Sequence, residues 1–258
     1  MKRFLQPLAG CASLILAAIL ASTPLWAQED SEPEPPLVTT LAVVPVVAEV
    51  VGVGDVLWRS EIFLRNSGAD DLEVVLSMPG TPGEPFFFTT VSSGDFLALN
   101  ALLSEVFGVG QAIAPLLVQT IGPRPITVIS AIRGFKSDGL TRPQVIPVFY
   151  SSRAGTSAML PGLSITEQRR TNLGLVNYGP NPATFTVGIQ VVPGRNIDST
   201  LVYVPPYSVT QRALQEFFPI LTEGENLVVI AETFAPDTFA YASVIDNETN
   251  EPRLVLSR

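Results

Sequence analysis

The chain lacks most of the side chains that enzymes use as acids, bases and nucleophiles. It contains no histidine among its 258 residues, and its single cysteine is Cys11. Histidine-based catalytic triads, HExxH zinc sites and histidine-ligated haem are therefore excluded, and one cysteine forms neither a disulfide within the chain nor a cysteine-rich metal site. Lysine is scarce as well, with only Lys2 and Lys136 present. We expect a protein that is not an enzyme and that uses no cofactor.

The acidic side chains are the remaining source of catalytic or metal chemistry. Four oxygen-bearing side chains lie close together near the C-terminus: Asp246, Glu248, Asn250 and Glu251. Such oxygen ligands suit Ca²⁺, but the Asp-x-Asp-x-Asp-Gly frame is missing, so a polar turn between two strands is the favoured interpretation. The pair Asp70 and Asp71 is interpreted in the same way. A carboxylate-based glycan-active enzyme stays an alternative, because two carboxylates that converge in a cleft can hydrolyse a glycosidic bond.

Aromatic side chains are the candidate groups for binding a partner. The ones that we single out are Trp58, Phe86, Phe87, Phe88, Tyr178 and Tyr207. If the run 86–88 is a strand, it must place at least one ring on each face of the sheet. Most of these rings are expected to fill a core or the space between domains. Two exposed rings in one plane would favour a glycan-binding face, whereas an exposed apolar edge strand would favour strand addition to a protein.

The N-terminal residues predict export from the cytoplasm. Lys2 and Arg3 precede the apolar run 14–20, and small residues follow that run. This order is typical of a secretory signal peptide, which we place at residues 1–27. A minority interpretation is a lipoprotein anchored at Cys11, although the longer apolar run follows that cysteine instead of preceding it. We therefore expect a periplasmic or extracellular protein whose mature chain has no membrane span.

The charge of the chain argues against nucleic-acid partners. The formal net charge is −9, and residues 28–36 combine acidic side chains with prolines. That segment is predicted to be an extended acidic leader, because its charges repel one another and its prolines prevent regular structure. An acidic protein associates poorly with phosphate backbones and anionic membrane surfaces. The expected partner is a protein or a glycan of the cell envelope.

An internal duplication organises the rest of the chain. The segment that begins at Arg170 repeats the pattern of the segment that begins at Arg59, and Asn177 repeats Asn66. Both pairs are 111 residues apart. A period of this length is too long for a solenoid and predicts two copies of one domain, at residues 37–151 and 152–258.

Each copy reads as a series of short strands separated by glycine, proline and asparagine. This pattern predicts an all-β protein built from two tandem immunoglobulin-like antiparallel β-sandwiches, each with one short crossover helix. The helix of the first copy is predicted over residues 99–107 and that of the second around residues 213–218. Pro45 interrupts the first strand, which indicates either an edge position or a strand that switches sheets.

Three segments carry a resemblance to a known family: residues 170–187, 205–218 and 240–252. In these segments the chain resembles an uncharacterised tandem immunoglobulin-like β-sandwich repeat of exported bacterial proteins. The resemblance implies a sandwich fold and a location outside the cytoplasm, and it brings no catalytic residues.

These observations together predict an exported, non-enzymatic binding or scaffolding protein of the cell envelope or the extracellular space. A periplasmic two-domain chaperone is the first alternative. It requires a basic anchor in a cleft between the domains, for which Arg153, Arg169 and Arg170 are the candidates, together with an open apolar strand edge. The carboxylate-based enzyme requires an acidic groove lined by aromatic rings.

Overall fold

The protein is all-β, as the sequence predicts. The computed structural model describes residues 39–122, 125–137, 139–191 and 195–256, which belong to one compact unit spanning Leu37–Arg258. The predicted signal peptide, the acidic leader and Cys11 lie outside the described residues. None of the helices formed by the described residues is long and apolar enough to cross a membrane.

Seventeen strands form in the described residues, and every pairing between them is antiparallel. The N-terminal half contains β1 (Thr39–Val51), β2 (Leu57–Arg65), β3 (Leu72–Ser77), β4 (Phe86–Val91), β5 (Phe96–Leu99), β6 (Ala112–Ile121), β7 (Thr127–Lys136), β8 (Gly139–Leu140) and β9 (Gln144–Ile146). The C-terminal half contains β10 (Thr156–Ile165), β11 (Arg169–Asn177), β12 (Ala183–Val191), β13 (Arg195–Val204), β14 (Ser208–Ala213), β15 (Gly224–Thr233), β16 (Thr238–Asp246) and β17 (Pro252–Leu256).

The order of strand pairing is the same in the two halves. The C-terminal half has two four-stranded sheets, with the orders β10-β15-β12-β13 and β14-β11-β16-β17. The N-terminal half repeats these two orders as β1-β6-β3-β4 and β5-β2-β7-β9. There, however, β1 also pairs with β2, which joins the two groups of strands into one nine-stranded sheet that includes β8. The chain therefore uses one pattern of connections twice.

Strand β1 links the two parts of the nine-stranded sheet. It pairs with β6 along most of its length and with β2 through Glu49, Val50 and Val51. Its register shifts between Val44 and Val47, on either side of Pro45, because proline has no N–H to donate to the ladder. β1 is thus an interior strand that joins two parts of one sheet, and the edge position that Pro45 also suggested is wrong.

The buried apolar side chains form one cluster in each half and a third cluster between the halves. The first two draw on residues 42–146 and 158–255, respectively. β1 contributes to both the first and the third cluster, because Ala42 and Val44 point into the N-terminal core while Val43 and Val46 contact the C-terminal half. The run 42–49 is consequently buried on both faces of the strand.

The helices are shorter than the sequence pattern predicts. The segment predicted over residues 99–107 is a single π-helical turn at Leu102–Val106, since Leu99 still belongs to β5 and pairs with Ile62. Glu49 fixes this turn by accepting hydrogen bonds from the backbone N–H and the hydroxyl of Ser104. In the C-terminal half α1 (Leu214–Phe217) forms at the predicted place.

Two buried asparagines hold equivalent turns in the two halves. The Asn66 side chain donates to the carbonyls of Asp70 and Val91, and it accepts a hydrogen bond from the Gly68 N–H. The Asn177 side chain donates to the carbonyls of Asn181, Val204 and Pro205 and accepts from the Gly179 N–H. Both side chains are fully buried. The duplicated asparagine is therefore a structural residue that ties one turn to the end of another strand.

Candidate binding surfaces

Strand β4 presents two aromatic rings to solvent. Phe86 is 73% exposed and Phe88 is 53% exposed, whereas Phe87 points the other way and packs against the N-terminal core. This alternation is the one that a strand over residues 86–88 predicts. Within the described residues β4 pairs only with β3, so its other backbone edge has no partner strand.

The backbone groups at the free edge of β4 can be assigned from the ladder. Hydrogen-bonded and non-hydrogen-bonded pairs alternate along an antiparallel pair of strands. The Met78 N–H donates to the Pro85 carbonyl at 3.0 Å, which fixes this pair as a hydrogen-bonded one. Counting along the β3–β4 register, the residues that direct their N–H and C=O groups away from β3 are Phe86, Phe88 and Thr90. The same three residues carry the exposed side chains of the strand.

A cleft of about 340 Å³ separates parts of the two halves. The wall contributed by the N-terminal half is mostly aliphatic, with Trp58 and Gln144 as exceptions, and its aliphatic members include Val46, Ile113 and Ile132. The facing wall is the outer surface of the β14-β11-β16-β17 sheet. Its side chains follow the sheet register, in which Arg170 lies opposite Ile245 and Asn172 lies opposite Ser243. The cleft is thus largely apolar on one side and mixed on the other.

Among the described residues that line this cleft, Arg170 is the only one with a positively charged side chain. Its guanidinium donates to the side-chain oxygens of Asn247 and Asn250 at 2.7 and 2.9 Å. Both acceptors are neutral, and no carboxylate of the described residues lies within 4 Å of the guanidinium. Burial lowers the pKa of Arg170 from its ordinary value. A positive charge therefore sits in the cleft without a counter-ion from the described residues.

Two aromatic rings of the cleft are held in place by glycines. Trp58 lies against Gly52, where an added Cβ would be 2.6 Å from the indole nitrogen. Tyr241 lies flat against Gly174, where an added Cβ would be 2.2 Å from the ring. The Tyr241 hydroxyl donates to the side-chain oxygen of Gln211. Trp58 is half-buried and Tyr241 is buried, so neither ring forms an open platform for a ligand.

Tyr178 and Tyr207 lie where the two halves meet. Tyr178 is buried and stacks on Phe149 with 5.9 Å between the ring centroids, and Phe149 also meets Phe239 edge-on at 5.4 Å. The Phe149 N–H donates a hydrogen bond to the Val43 carbonyl of β1, and the Val43 N–H donates one to the Phe149 carbonyl. Tyr207 is half-buried and approaches the Gly80 turn of the N-terminal half. These two tyrosines join the halves instead of facing a partner.

Tyr178 is expected to make the protein less stable at alkaline pH. Burial and the nearby charge of Asp237 raise the pKa of Tyr178 to about 12, partly offset by Arg153. A tyrosine of the unfolded chain loses its proton near pH 10. Stability that is fully present below about pH 10 should therefore decline as the pH rises toward about 12, because the unfolded chain releases the proton first. Urea unfolding at a series of pH values measures this slope.

The matched variants for this experiment are Tyr178→Phe and Tyr203→Phe. Tyr178→Phe keeps the ring packing and removes the hydroxyl, which has no hydrogen-bond partner among the described residues, so the loss of stability between pH 10 and 12 should become shallower. Tyr203 is exposed, and its replacement should leave the slope unchanged. Equal slopes for Tyr178→Phe and the unmodified chain would show that another group is responsible. Burial also raises the pKa of Tyr241, which adds to the residual slope.

The acidic turn at residues 246–251 uses its first carboxylate for hydrogen bonds. One oxygen of Asp246 accepts from the backbone N–H groups of Glu248 and Thr249 and from the Thr249 hydroxyl. These bonds lower the pKa of Asp246. No group of three or more Asp, Glu, His or Cys side chains that could hold a metal ion occurs in the part of the chain that the structure describes.

The sequence pattern did not single out the exposed aromatics of the C-terminal half. Phe234 is fully exposed in the turn after β15, and Tyr203 is 61% exposed on β13. Thr184 of β12 pairs with Tyr203, and Thr184 and Thr186 line a shallow pocket together with Phe234. Phe234 directly precedes an Ala-Pro-Asp turn. An aromatic residue beside a turn was the feature of the sequence from which its exposure could have been predicted.

Comparisons of the chain with protein-family models, curated proteins and solved structures give no significant match.

Proposed function

We propose that the protein is an exported, non-enzymatic binding protein of the cell envelope or the extracellular space, and that it captures an extended segment of a partner protein by strand addition to β4. One observation carries the proposal. The free edge of β4 offers the backbone groups of Phe86, Phe88 and Thr90, and the same residues hold the exposed side chains. An added strand gains main-chain hydrogen bonds from the edge and apolar contacts from the two rings.

The composition of β4 supports this proposal. Proteins usually protect a free strand edge with lysine, proline or an inward-pointing charge. Phe86–Val91 contains no charged residue and no proline. The equivalent edge strand of the C-terminal half, β13, carries Arg195 and Asp198. An edge left unprotected in only one of two equivalent strands is consistent with a surface kept for a partner.

The proposal includes two immunoglobulin-like domains, at residues 37–151 and 152–258. The repeated strand order and the separate core of each half support this division. The periplasmic chaperone remains the second candidate, because Arg170 lies in a cleft between the halves as that function requires. Arg153 stacks on Phe149 at 4.5 Å and Arg169 is exposed, so Arg170 alone of the three predicted arginines lines this cleft. No Asp or Glu of the described residues lines it, which favours binding over carboxylate catalysis there.

A pair of variants at Thr90 tests strand addition at β4. Thr90→Pro removes an N–H that points to the free edge, while the ladder between β3 and β4 stays intact. Thr90→Ala keeps the N–H and serves as the matched control. The full chain and both variants are used to capture proteins from envelope extracts and culture medium, followed by mass spectrometry. We expect one partner that binds the unmodified chain and Thr90→Ala, and that binds Thr90→Pro at least about tenfold less.

Hydrogen exchange locates the contact on β4. In the complex the amides of Phe86, Phe88 and Thr90 should exchange more slowly than in the free protein. Melting temperatures of the two variants establish that both remain folded. Equal capture by Thr90→Pro and Thr90→Ala would contradict the proposal, and so would recovery of glycans alone. Self-association that Thr90→Pro abolishes would identify the added strand as a second copy of the chain, which also contradicts capture of a different protein.

A further inference from the structure

The cleft between the halves holds a charge that its surroundings leave uncompensated. Arg170 is half-buried, so it loses part of its hydration without gaining a carboxylate from the described residues in return. The Arg170 guanidinium has only the amide oxygens of Asn247 and Asn250 as partners among the described residues. These oxygens satisfy hydrogen bonds without neutralising the charge. The cleft therefore favours a ligand that brings a negative charge.

Additional hydrogen-bonding groups lie on the walls of the same cleft. The side chains of Gln144 and Asn172 line it and make no hydrogen bond to any residue that the structure describes. Asn172 is two residues from Arg170 on β11, and side chains two apart on a strand point to the same face. A planar anion held by Arg170 can therefore accept a further hydrogen bond from the Asn172 amide.

The remaining walls favour an aliphatic body over a sugar or a peptide. The N-terminal wall is made mostly of valine and isoleucine side chains, among them Val46, Ile113 and Ile132. Its polar groups are the Gln144 amide and the Trp58 indole N–H, which are too few to pair with the several hydroxyls of a sugar or with an extended peptide backbone. The volume of about 340 Å³ lies at the lower end of the range for small-molecule sites, roughly 300–1,000 Å³. An occupant must therefore be small and largely apolar.

We infer that the cleft binds a small aliphatic monocarboxylate, with its carboxylate at Arg170 and its hydrocarbon chain against the valine and isoleucine wall. Charge complementarity at Arg170 fixes the polar end, and the apolar wall fixes the character of the rest. This site lies on a different surface from the free edge of β4. Its experiment therefore succeeds or fails independently of strand addition.

Calorimetric titration of the full chain with octanoate tests the inference. 1-Octanol keeps the hydrocarbon chain and lacks the charge, so it should bind at least about tenfold more weakly. Arg170→Gln should weaken octanoate binding by about tenfold to a hundredfold, the range expected for the loss of a charge-assisted hydrogen bond. Arg169→Gln is the matched control, because Arg169 is the exposed neighbour on the same strand and does not line the cleft.

A second variant keeps the test decisive if Arg170→Gln does not fold. Arg170→Lys retains the positive charge and should keep most of the octanoate affinity, while Asn172→Leu should reduce it without removing the cation. Absence of octanoate binding to the unmodified chain would overturn the inference, as would equal affinities for octanoate and octanol or for Arg170→Gln and Arg169→Gln. Tighter binding of N-acetyl-trivaline than of octanoate would also overturn it, by identifying a polypeptide C-terminus as the ligand.

Discussion

Replacing Asn177 by alanine is expected to lower the free energy of unfolding by about 3 kcal/mol, because buried backbone groups lose their hydrogen-bond partner. The side-chain amide donates to three carbonyls, those of Asn181, Val204 and Pro205, and its oxygen accepts from the Gly179 N–H. Alanine satisfies none of these groups, and water has no access to the fully buried position. For a chain of this size the melting temperature should fall by roughly 6–12 °C, measured by calorimetry or circular dichroism.

Two further variants separate this effect from a general sensitivity to mutation. Asn181 is exposed, and its side chain makes no hydrogen bond to the described residues, so Asn181→Ala should change the melting temperature little. Asn66→Ala removes the equivalent side-chain hydrogen bonds in the N-terminal half, where the amide donates to two carbonyls instead of three. Its cost should therefore be smaller, about 2 kcal/mol. A loss at Asn177 no larger than that at Asn181 would refute the structural role of the duplicated asparagine.

Gly155→Ala is expected to destabilise the protein by a similar amount, about 3 kcal/mol, through two effects that add. Gly155 has a φ of +47°, a left-handed conformation that costs alanine about 1–2 kcal/mol. In addition, a Cβ at this position would lie 2.6 Å from the Thr233 carbonyl oxygen. A backbone atom cannot rotate away, so the first pair of the β10–β15 ladder, Thr156 with Thr233, must move.

Gly83→Ala is the control for the backbone conformation alone. Gly83 has a φ of +82°, and an added Cβ there meets no atom within 4 Å. This variant should therefore show the conformational cost, about 1–2 kcal/mol, without the steric clash. Denaturant unfolding of both variants gives the difference between them. If the two cost the same, the close approach of Thr233 is relieved by small shifts and contributes nothing.

Features set by neighbouring residues were predictable from the sequence. The turns at Asn66 and Asn177 were predictable because an asparagine side chain readily accepts a hydrogen bond from the N–H two residues on, and the 111-residue spacing exposed them as one motif used twice. Positive φ angles play no part in them. The opposite orientations of Phe87 and its two neighbours follow from the alternation of side chains along a strand. These inferences need only local stereochemistry, which is why the all-β, antiparallel fold was predictable.

Features that depend on packing between distant residues were not predictable. Tyr178 belongs to the set of rings of which most were expected to fill a core or the space between domains, but nothing in the sequence indicated that it packs with Phe149 and Phe239 of other elements. Arg170 gave no signal that separated it from Arg169, because only the sheet register places one of them in the cleft and the other in solvent. The helix predicted from Leu99 onward was shortened because pairing with β2 holds that residue in β5. In each case a tertiary contact decided the outcome.

The burial of β1 on both faces has a consequence for how the chain is made. Val43 and Val46 belong to one buried cluster with Val176 and Phe239, which come much later in the chain. When the chain emerges N-terminus first, the N-terminal half can close its own core, but its second apolar face stays exposed to solvent until the C-terminal half has emerged. The equivalent strand β10 has an outer face that carries the exposed Met159, so it does not depend in this way on another part of the chain. Vectorial folding should therefore make the nascent chain most prone to misassociation, and most dependent on chaperones, while only its N-terminal half has emerged.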